Sequence, residues 1–322
     1  MSVTRDLYEA YPYPSPDPSG PLIHDTAFGV ACLLEDDRLD GWEVLDLGCG
    51  TGHRLVPLAL QYPHARFTGF DASEQSLAVA RKLAELHGVT NVEFLHGSVP
   101  DADVGTTFDL VVSTGVLHHL PDPRAGLAWA ADHLVDDGLL YLWFYGALGE
   151  HNRMLERELV HLLAESPGGR PDLHTVHALG LRLSRTRYGP TADGGGSALV
   201  QSVVDADAYL NPVVTPVTFA EVFDLCAGQA LDWVAAFGVN LEQDSKLIDF
   251  GARDPNRHLT IRGDDLFDDP DLRRRYEALS PLDRVRVLEL CLRPTGITVV
   301  AGRGDSVADC APRVAANILG TP

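Results

Sequence analysis

Residues 44–52 read VLDLGCGTG, and two residue types there could do chemistry: a carboxylate at Asp46 and the glycines at 48, 50 and 52. A strand that runs into such a turn and then into a helix brings main chain close to a ligand, because no side chain stands in the way. A glycine triplet alone also marks a plain structural turn. The spacing is GxGxG rather than GxGxxG, and Asp46 stands two residues before the first glycine. A carboxylate there disfavours a pyrophosphate and suits an ammonium group. A second acid, Asp71, ends the following strand in GFDAS, 19 residues beyond Gly52. From that place it can hydrogen-bond both hydroxyls of a ribose.

A nucleoside that carries a cation and no phosphate satisfies both acids, which favours S-adenosylmethionine (SAM) over a nicotinamide dinucleotide. Methyl transfer from a sulfonium asks the protein to align two reactants and, where needed, to remove a proton. His118 and His119, in VLHHLPDP, are the candidate bases, since an imidazole titrates near pH 6.5. A structural role for at least one of them competes with that reading. His118, His119 and Asp122 lack zinc-type spacing, so no metal is expected. Tyr8, Tyr11 and Tyr13 lie in YEAYPYP. Their ring faces could attract a sulfonium, with prolines stiffening the lid, or they could simply pack an N-terminal arm onto the body. Tyr11 is placed with the catalytic residues and Tyr13 with those that bind cofactor. Arg182, Arg185 and Arg187 read as a solvated face, with anion binding as the lesser alternative. The acidic run at 264–271 reads as surface and helix capping.

These residues need elements to hold them. Short apolar strands are predicted over 42–47, 66–70, 92–95, 108–113, 139–145, 231–237 and 297–301, with helices over 22–35, 53–61, 73–87 and 124–134 between them. Ser73 is a credible N-cap. Residues 1–20, rich in proline and tyrosine, are expected to be extended or turn-like. Helices over 150–164 and 172–188 precede a flexible break at 189–198. Thr218 and Glu221 have capping-box spacing for a helix to 227. Asp269-Pro270 and Ser280-Pro281 each mark a helix start. The fold expected is α/β, a doubly wound, mostly parallel seven-stranded sheet with a helical cap in the C-terminal half. Residues 1–40 are the arm, 41–146 the cofactor-binding core, and 147–322 the substrate-side cap with the last strands.

Charge narrows the partners. The chain of 322 residues has a net charge of −21, with −15 of it in residues 1–150. Such a field repels phosphate backbones, so neither nucleic acid nor an anionic membrane is an expected partner. No uncharged apolar run of 18 residues occurs, and no apolar stretch at the N-terminus suits a secretory signal. Five scattered cysteines without CxxC fit a reducing cytoplasm.

Residues 44–52, 69–73 and 108–123 resemble the first, second and fourth motifs of the Rossmann-like class I SAM-dependent methyltransferases. LVDDGLLYLW at 134–143 is similar to that family's fifth-strand signature. The resemblance implies that Gly48, Cys49 and Gly50 line the methionine portion and that Asp71 meets the ribose. Gly52, Ala72, Gly97 and Ser98 complete the cofactor contacts, and Thr114 with the residues up to 117 borders the methyl group. Many relatives carry an aspartate where His96-Gly97-Ser98 stands here, so the adenine contact falls to Ser98 or Asp101. YEAYPYP is similar to the N-terminal signature of one subset of the family, with fainter likeness at 207–226 and 279–291. The resemblance implies a methyltransferase acting on an O or N nucleophile of a small molecule or peptide. S-adenosylhomocysteine would be the product and a homodimer is possible. A SAM-binding protein of the same fold that methylates nothing is the alternative.

Overall fold

The computed structural model describes residues 3–34, 38–164, 169–183, 198–231, 233–237, 248–249 and 263–304. In chain order the elements are α1 (Val3–Ala10), α2 (Asp25–Leu33), β1 (Glu43–Leu47), α3 (Leu55–Gln61), β2 (Arg66–Asp71), α4 (Glu74–Leu86), β3 (Val92–His96) and β4 (Phe108–Thr114). A single 3-10 turn, Leu117–His119, leads to α5 (Pro123–Asp132), β5 (Leu134–Tyr145), α6 (His151–Leu162), α7 (Leu173–Ala178), α8 (Ala198–Leu210) and α9 (Phe219–Ala227). The remainder is β6 (Trp233–Phe237), β7 (Ile248–Asp249), α10 (Gly263–Leu266), α11 (Pro270–Glu277), α12 (Pro281–Leu292) and β8 (Gly296–Gly302).

Two compact units interleave along the chain. The first comprises Met1–Gly29, Leu39–Gly105 and His151–Val214. Its strands lie in the order β3-β2-β1, all parallel, with Asp46 opposite Gly69 and Leu47 opposite Phe70. Val44, Leu45, Leu47, Phe67 and Phe70 are buried, as expected where helices cover a parallel sheet. Helix α4 starts as predicted, with Ser73 Oγ accepting from Ser76 N at 3.1 Å.

The second unit comprises Val30–Arg38, Thr106–Glu150 and Thr215–Pro322. Its strands lie in the order β4-β5-β8-β6-β7. β4 and β5 are parallel, whereas β8 runs against both β5 and β6. The predicted caps hold here: Thr218 and Glu221 form a reciprocal capping box, and Asp269 and Ser280 cap α11 and α12 ahead of proline. No helix among the described residues is long and apolar enough to cross a membrane.

The α/β class with a mostly parallel sheet is the one expected. Eight strands are described rather than seven, the addition being the two-residue β7, too short to register as a hydrophobic run. Residues 3–10 are helical rather than extended, because the first proline stands only at 12 and VTRDLYEA contains no helix breaker. Helix α7 is six residues, not seventeen, since the chain turns through Gly180 at φ +72°. Residues 184–188 of that predicted helix, including Arg185 and Arg187, and most of the break at 189–198 fall outside the described residues. Helix α8 was not foreseen.

Candidate cofactor site

The ends of β1 and β2 build the site. Gly48 N and Cys49 N both donate to Phe70 O, at 2.7 and 3.2 Å, which folds the loop back over β2. Gly50 N donates to Asp71 Oδ2 at 2.8 Å, and Gly52 N closes the turn on Cys49 O at 3.0 Å. The three glycines have φ of +76°, +53° and +75°, the left-handed region that side chains disfavour. The bare Cα positions do more than expose main chain. A Cβ on Gly50 would lie 2.4 Å from Tyr13 O, and one on Gly52 would lie 3.0 Å from Ala80 Cβ. Thus the N-terminal arm and helix α4 fill the space at those two positions.

Asp46 is 4% exposed, and no hydrogen bond reaches its carboxylate among the described residues. Burial raises its pKa to about 7; Arg54 pulls it down, while Asp71 and Asp25 push it further up. Asp71 is also raised by burial, against the N–H groups of Ser73 and Gly50, each at 2.8 Å from one of its two oxygens. Burial, aided by the charges of Asp71 and Asp46, drives the Cys49 thiol well above its usual range, so it is no nucleophile here. The buried Asp46 and the half-buried Asp71 around a loop of positive-φ glycines form an acceptor set that fits a cationic nucleoside. A pyrophosphate would meet like charge.

The arm packs directly on this loop. Thr51 N donates to Tyr13 O at 2.9 Å. Thr51 Oγ1 donates to His53 Nδ1 at 2.9 Å, and His53 Nε2 donates to Asp17 O at 3.1 Å. Burial lowers the pKa of His53, in keeping with this neutral tautomer. Ser73 Oγ donates to Tyr8 O at 3.2 Å, beside Asp71. Tyr8 OH donates to Asp207 at 2.7 Å and accepts from Asn211 Nδ2 at 2.9 Å, both from the unforeseen α8 region. Tyr11 is half-buried against Val160, Val176 and Tyr209. Tyr13 is hydrogen-bonded to the Arg54 guanidinium.

At the end of β3, His96 Nε2 donates to Ala72 O at 3.0 Å, and Gly97 N donates to Asp71 O at 3.0 Å. A Cβ on Gly97 would lie 2.6 Å from the Phe70 ring, so packing alone demands glycine there. Ser98 O accepts from Asp101 N and Ala102 N in a tight turn. The first unit therefore brings together Asp46, the 48–52 loop, Asp71, Ala72, Gly97, Ser98 and Tyr13. Arg54 and Asp25 belong with them and were missed, although an arginine two residues after the last glycine was a visible signal.

Thr114, His118 and His119 belong to the second unit. Thr114 ends β4 opposite Trp143. Both histidines are buried, with ring centroids 4.3 Å apart, and the Tyr145 ring lies 4.1 Å from His118 and 5.6 Å from His119. His118 Nδ1 accepts from Tyr145 N at 3.4 Å, and its carbonyl accepts from Thr215 N at 2.8 Å. Asp122 is occupied as the N-cap of α5, accepting from Arg124 N and Ala125 N.

An α/β fold with this glycine loop and paired acids is that of a Rossmann-like methyltransferase. Residues 39–159 match the family model described as a methyltransferase domain, in accord with the class I SAM-dependent methyltransferase resemblance of the sequence. An uncharacterized protein of Synechococcus sp. is 35% identical over 167 residues, 49% of this chain and 40% of that protein. The mitochondrial ubiquinone biosynthesis O-methyltransferase of Schizosaccharomyces pombe is 36% identical over 117 residues, 36% of this chain and 42% of that enzyme. The chain thus spans less than half the length of either relative. Among solved structures, PKMT2 from Rickettsia typhi in complex with AdoHcy has a TM-score of 0.57 at 16% identity, covering 88% of this chain and 54% of that one. At that identity the likeness is one of fold.

Proposed function

We propose that this chain is a SAM-dependent methyltransferase that transfers a methyl group to an O or N nucleophile of a small molecule or peptide. The observation that carries the reading is the pair Asp46 and Asp71, at the ends of adjacent parallel strands around a left-handed glycine loop. Asp46 takes the ammonium of the cofactor and Asp71 the ribose hydroxyls, to which its oxygens can still offer lone pairs. Gly48, Cys49, Gly50 and Gly52 set the loop against the methionine portion, and Tyr13 holds the arm over it. Ala72, Gly97 and Ser98 form the edge toward the base.

When bound, the cofactor supplies a carbon already activated by its sulfonium. The chain's own residues bind it, orient it and keep water from it. Where the acceptor carries a proton, His118 and His119 are the candidate bases. The net charge of −21 favours acceptors that are not polyanions.

Calorimetry with SAM and with NADH, followed by mass spectrometry of candidate acceptors, tests the proposal. The expected result is SAM binding, no NADH binding, and acceptor heavier by one methylene with S-adenosylhomocysteine formed. NADH binding without SAM binding would refute it. SAM binding with no methylated product from any acceptor would favour a non-methylating role.

A further inference from the structure

The amino-acid end of SAM bears an ammonium and a carboxylate on one carbon. A pocket offering it only acids attracts the first group and repels the second. Asp25 and Asp71 both act on the Asp46 carboxylate, and Arg54 is the cation that acts on it among the described residues. We propose that Arg54 receives the cofactor's carboxylate, so that Asp46 and Arg54 together grip the two charged groups of its amino-acid end. The assignment rests on the cofactor reading above.

Geometry supports it. Arg54 stands two residues after Gly52, and its side chain is 19% exposed. Asp25, the first residue of α2, accepts from Arg54 Nε with both oxygens at 3.1 Å. Asp25 Oδ1 is itself held by Thr26 N at 2.7 Å. Tyr13 engages the same guanidinium from the arm. A guanidinium carries five N–H donors in a planar fork. Asp25 takes the Nε donor and Tyr13 one more, which leaves terminal N–H groups to meet a carboxylate. The fork is therefore aimed by two other elements instead of hanging on a long flexible stem, and its planarity suits a bidentate partner in a way that an ammonium cannot. A purely structural Arg54 would tie α2 to the loop and treat ligands with and without a carboxylate alike.

The test compares S-adenosylhomocysteine with S-adenosyl-3-thiopropylamine, which keeps the adenosine, sulfur and amine and lacks only the carboxylate. Calorimetry on the unaltered chain is expected to favour the first by on the order of 10- to 100-fold, the range of a charge-assisted hydrogen-bonded pair. In Arg54→Gln that preference should collapse, while the amine compound binds no more weakly than before, which also certifies the fold of the variant. Should Arg54→Gln fail to fold, Arg54→Lys should keep at most about a third of the preference, because a point charge cannot reproduce the fork. Equal affinities in the unaltered chain overturn the assignment, as does a preference that survives either substitution intact. Failure of both compounds to bind the unaltered chain overturns the cofactor reading beneath it, a result distinct from loss of discrimination alone.

Discussion

Replacing Asp46 by asparagine should stabilise the cofactor-free protein above neutral pH and do the reverse in acid. The native fold holds the Asp46 proton with a pKa of about 7, against 3.8 ordinarily, chiefly because the group is buried. At 1.36 kcal/mol per pKa unit, that difference corresponds to about 4 kcal/mol. The native state binds this proton more tightly than the unfolded chain, so stability falls as pH rises from about 4 to about 7 and stays low above. Asparagine carries no charge at any pH and removes the penalty. Its amide, having no partner in the pocket, returns roughly 1–3 kcal/mol of cost. The net expectation at pH 8 is a gain of about 1–3 kcal/mol for Asp46→Asn, with a loss of similar size at pH 4. Urea unfolding of both proteins from pH 4 to 8 measures it, and the difference between them cancels groups common to both. Part of the slope passes through Asp71, whose charge raises Asp46. A difference that stays flat across that range would refute the reasoning. Saturating S-adenosylhomocysteine should reverse the ranking at pH 8, because a carboxylate holds its ammonium more strongly than an amide oxygen does.

Gly50→Ala must place a Cβ 2.4 Å from Tyr13 O at φ +53°; a loss of about 1–3 kcal/mol is expected in thermal melting, and an unchanged melting temperature would mean that the arm does not seat there. Tyr8→Phe removes the hydroxyl shared by Asp207 and Asn211, with an expected loss of roughly 1–3 kcal/mol in urea unfolding; a change under about 0.5 kcal/mol, the size of an ordinary surface substitution, would show the pair to be dispensable. Thr218→Ala breaks the reciprocal cap of α9 and should lower stability by about 1 kcal/mol, whereas Thr218→Ser should restore most of it.

What could be read from the sequence was local. Ser73, Thr218 with Glu221, Asp269-Pro270 and Ser280-Pro281 declare helix starts through bonds that span three residues or fewer, and all are found in place. The apolar runs ending in Asp46 and Asp71 announce buried parallel strands for the same reason. Helix α1 was hidden because the prolines at 12 and 14 coloured the reading of eight helix-competent residues before them. Helix α8 was hidden because its second half, buried all round from Val203 to Leu210, carries Asp205 and Asp207, and acids ordinarily mark a surface. Apart from Gln201, one turn before Asp205, their partners lie far away in the chain: His177 Nε2 and the Leu183 amide meet Asp205, and Tyr8 meets Asp207 from the other end of the unit. No periodicity encodes such a pairing.

The glycine loop shows where this limit falls inside the candidate site itself. A spacing of glycines states that no side chain is tolerated at 48, 50 and 52, yet three causes produce the same spacing: a left-handed φ, a ligand against the backbone, or another part of the chain against it. All three positions satisfy the first cause. At Gly50 and Gly52 the third is also met, by the carbonyl of Tyr13 and the Cβ of Ala80. The carbonyl that fills the place of a side chain belongs to the arm, and the same residue engages Arg54. The arm is therefore a wall of the loop. A change at Tyr13 should disturb the loop amides and the guanidinium together, whereas a change at Asp71 reaches the loop through Gly50 N and through its charge on Cys49.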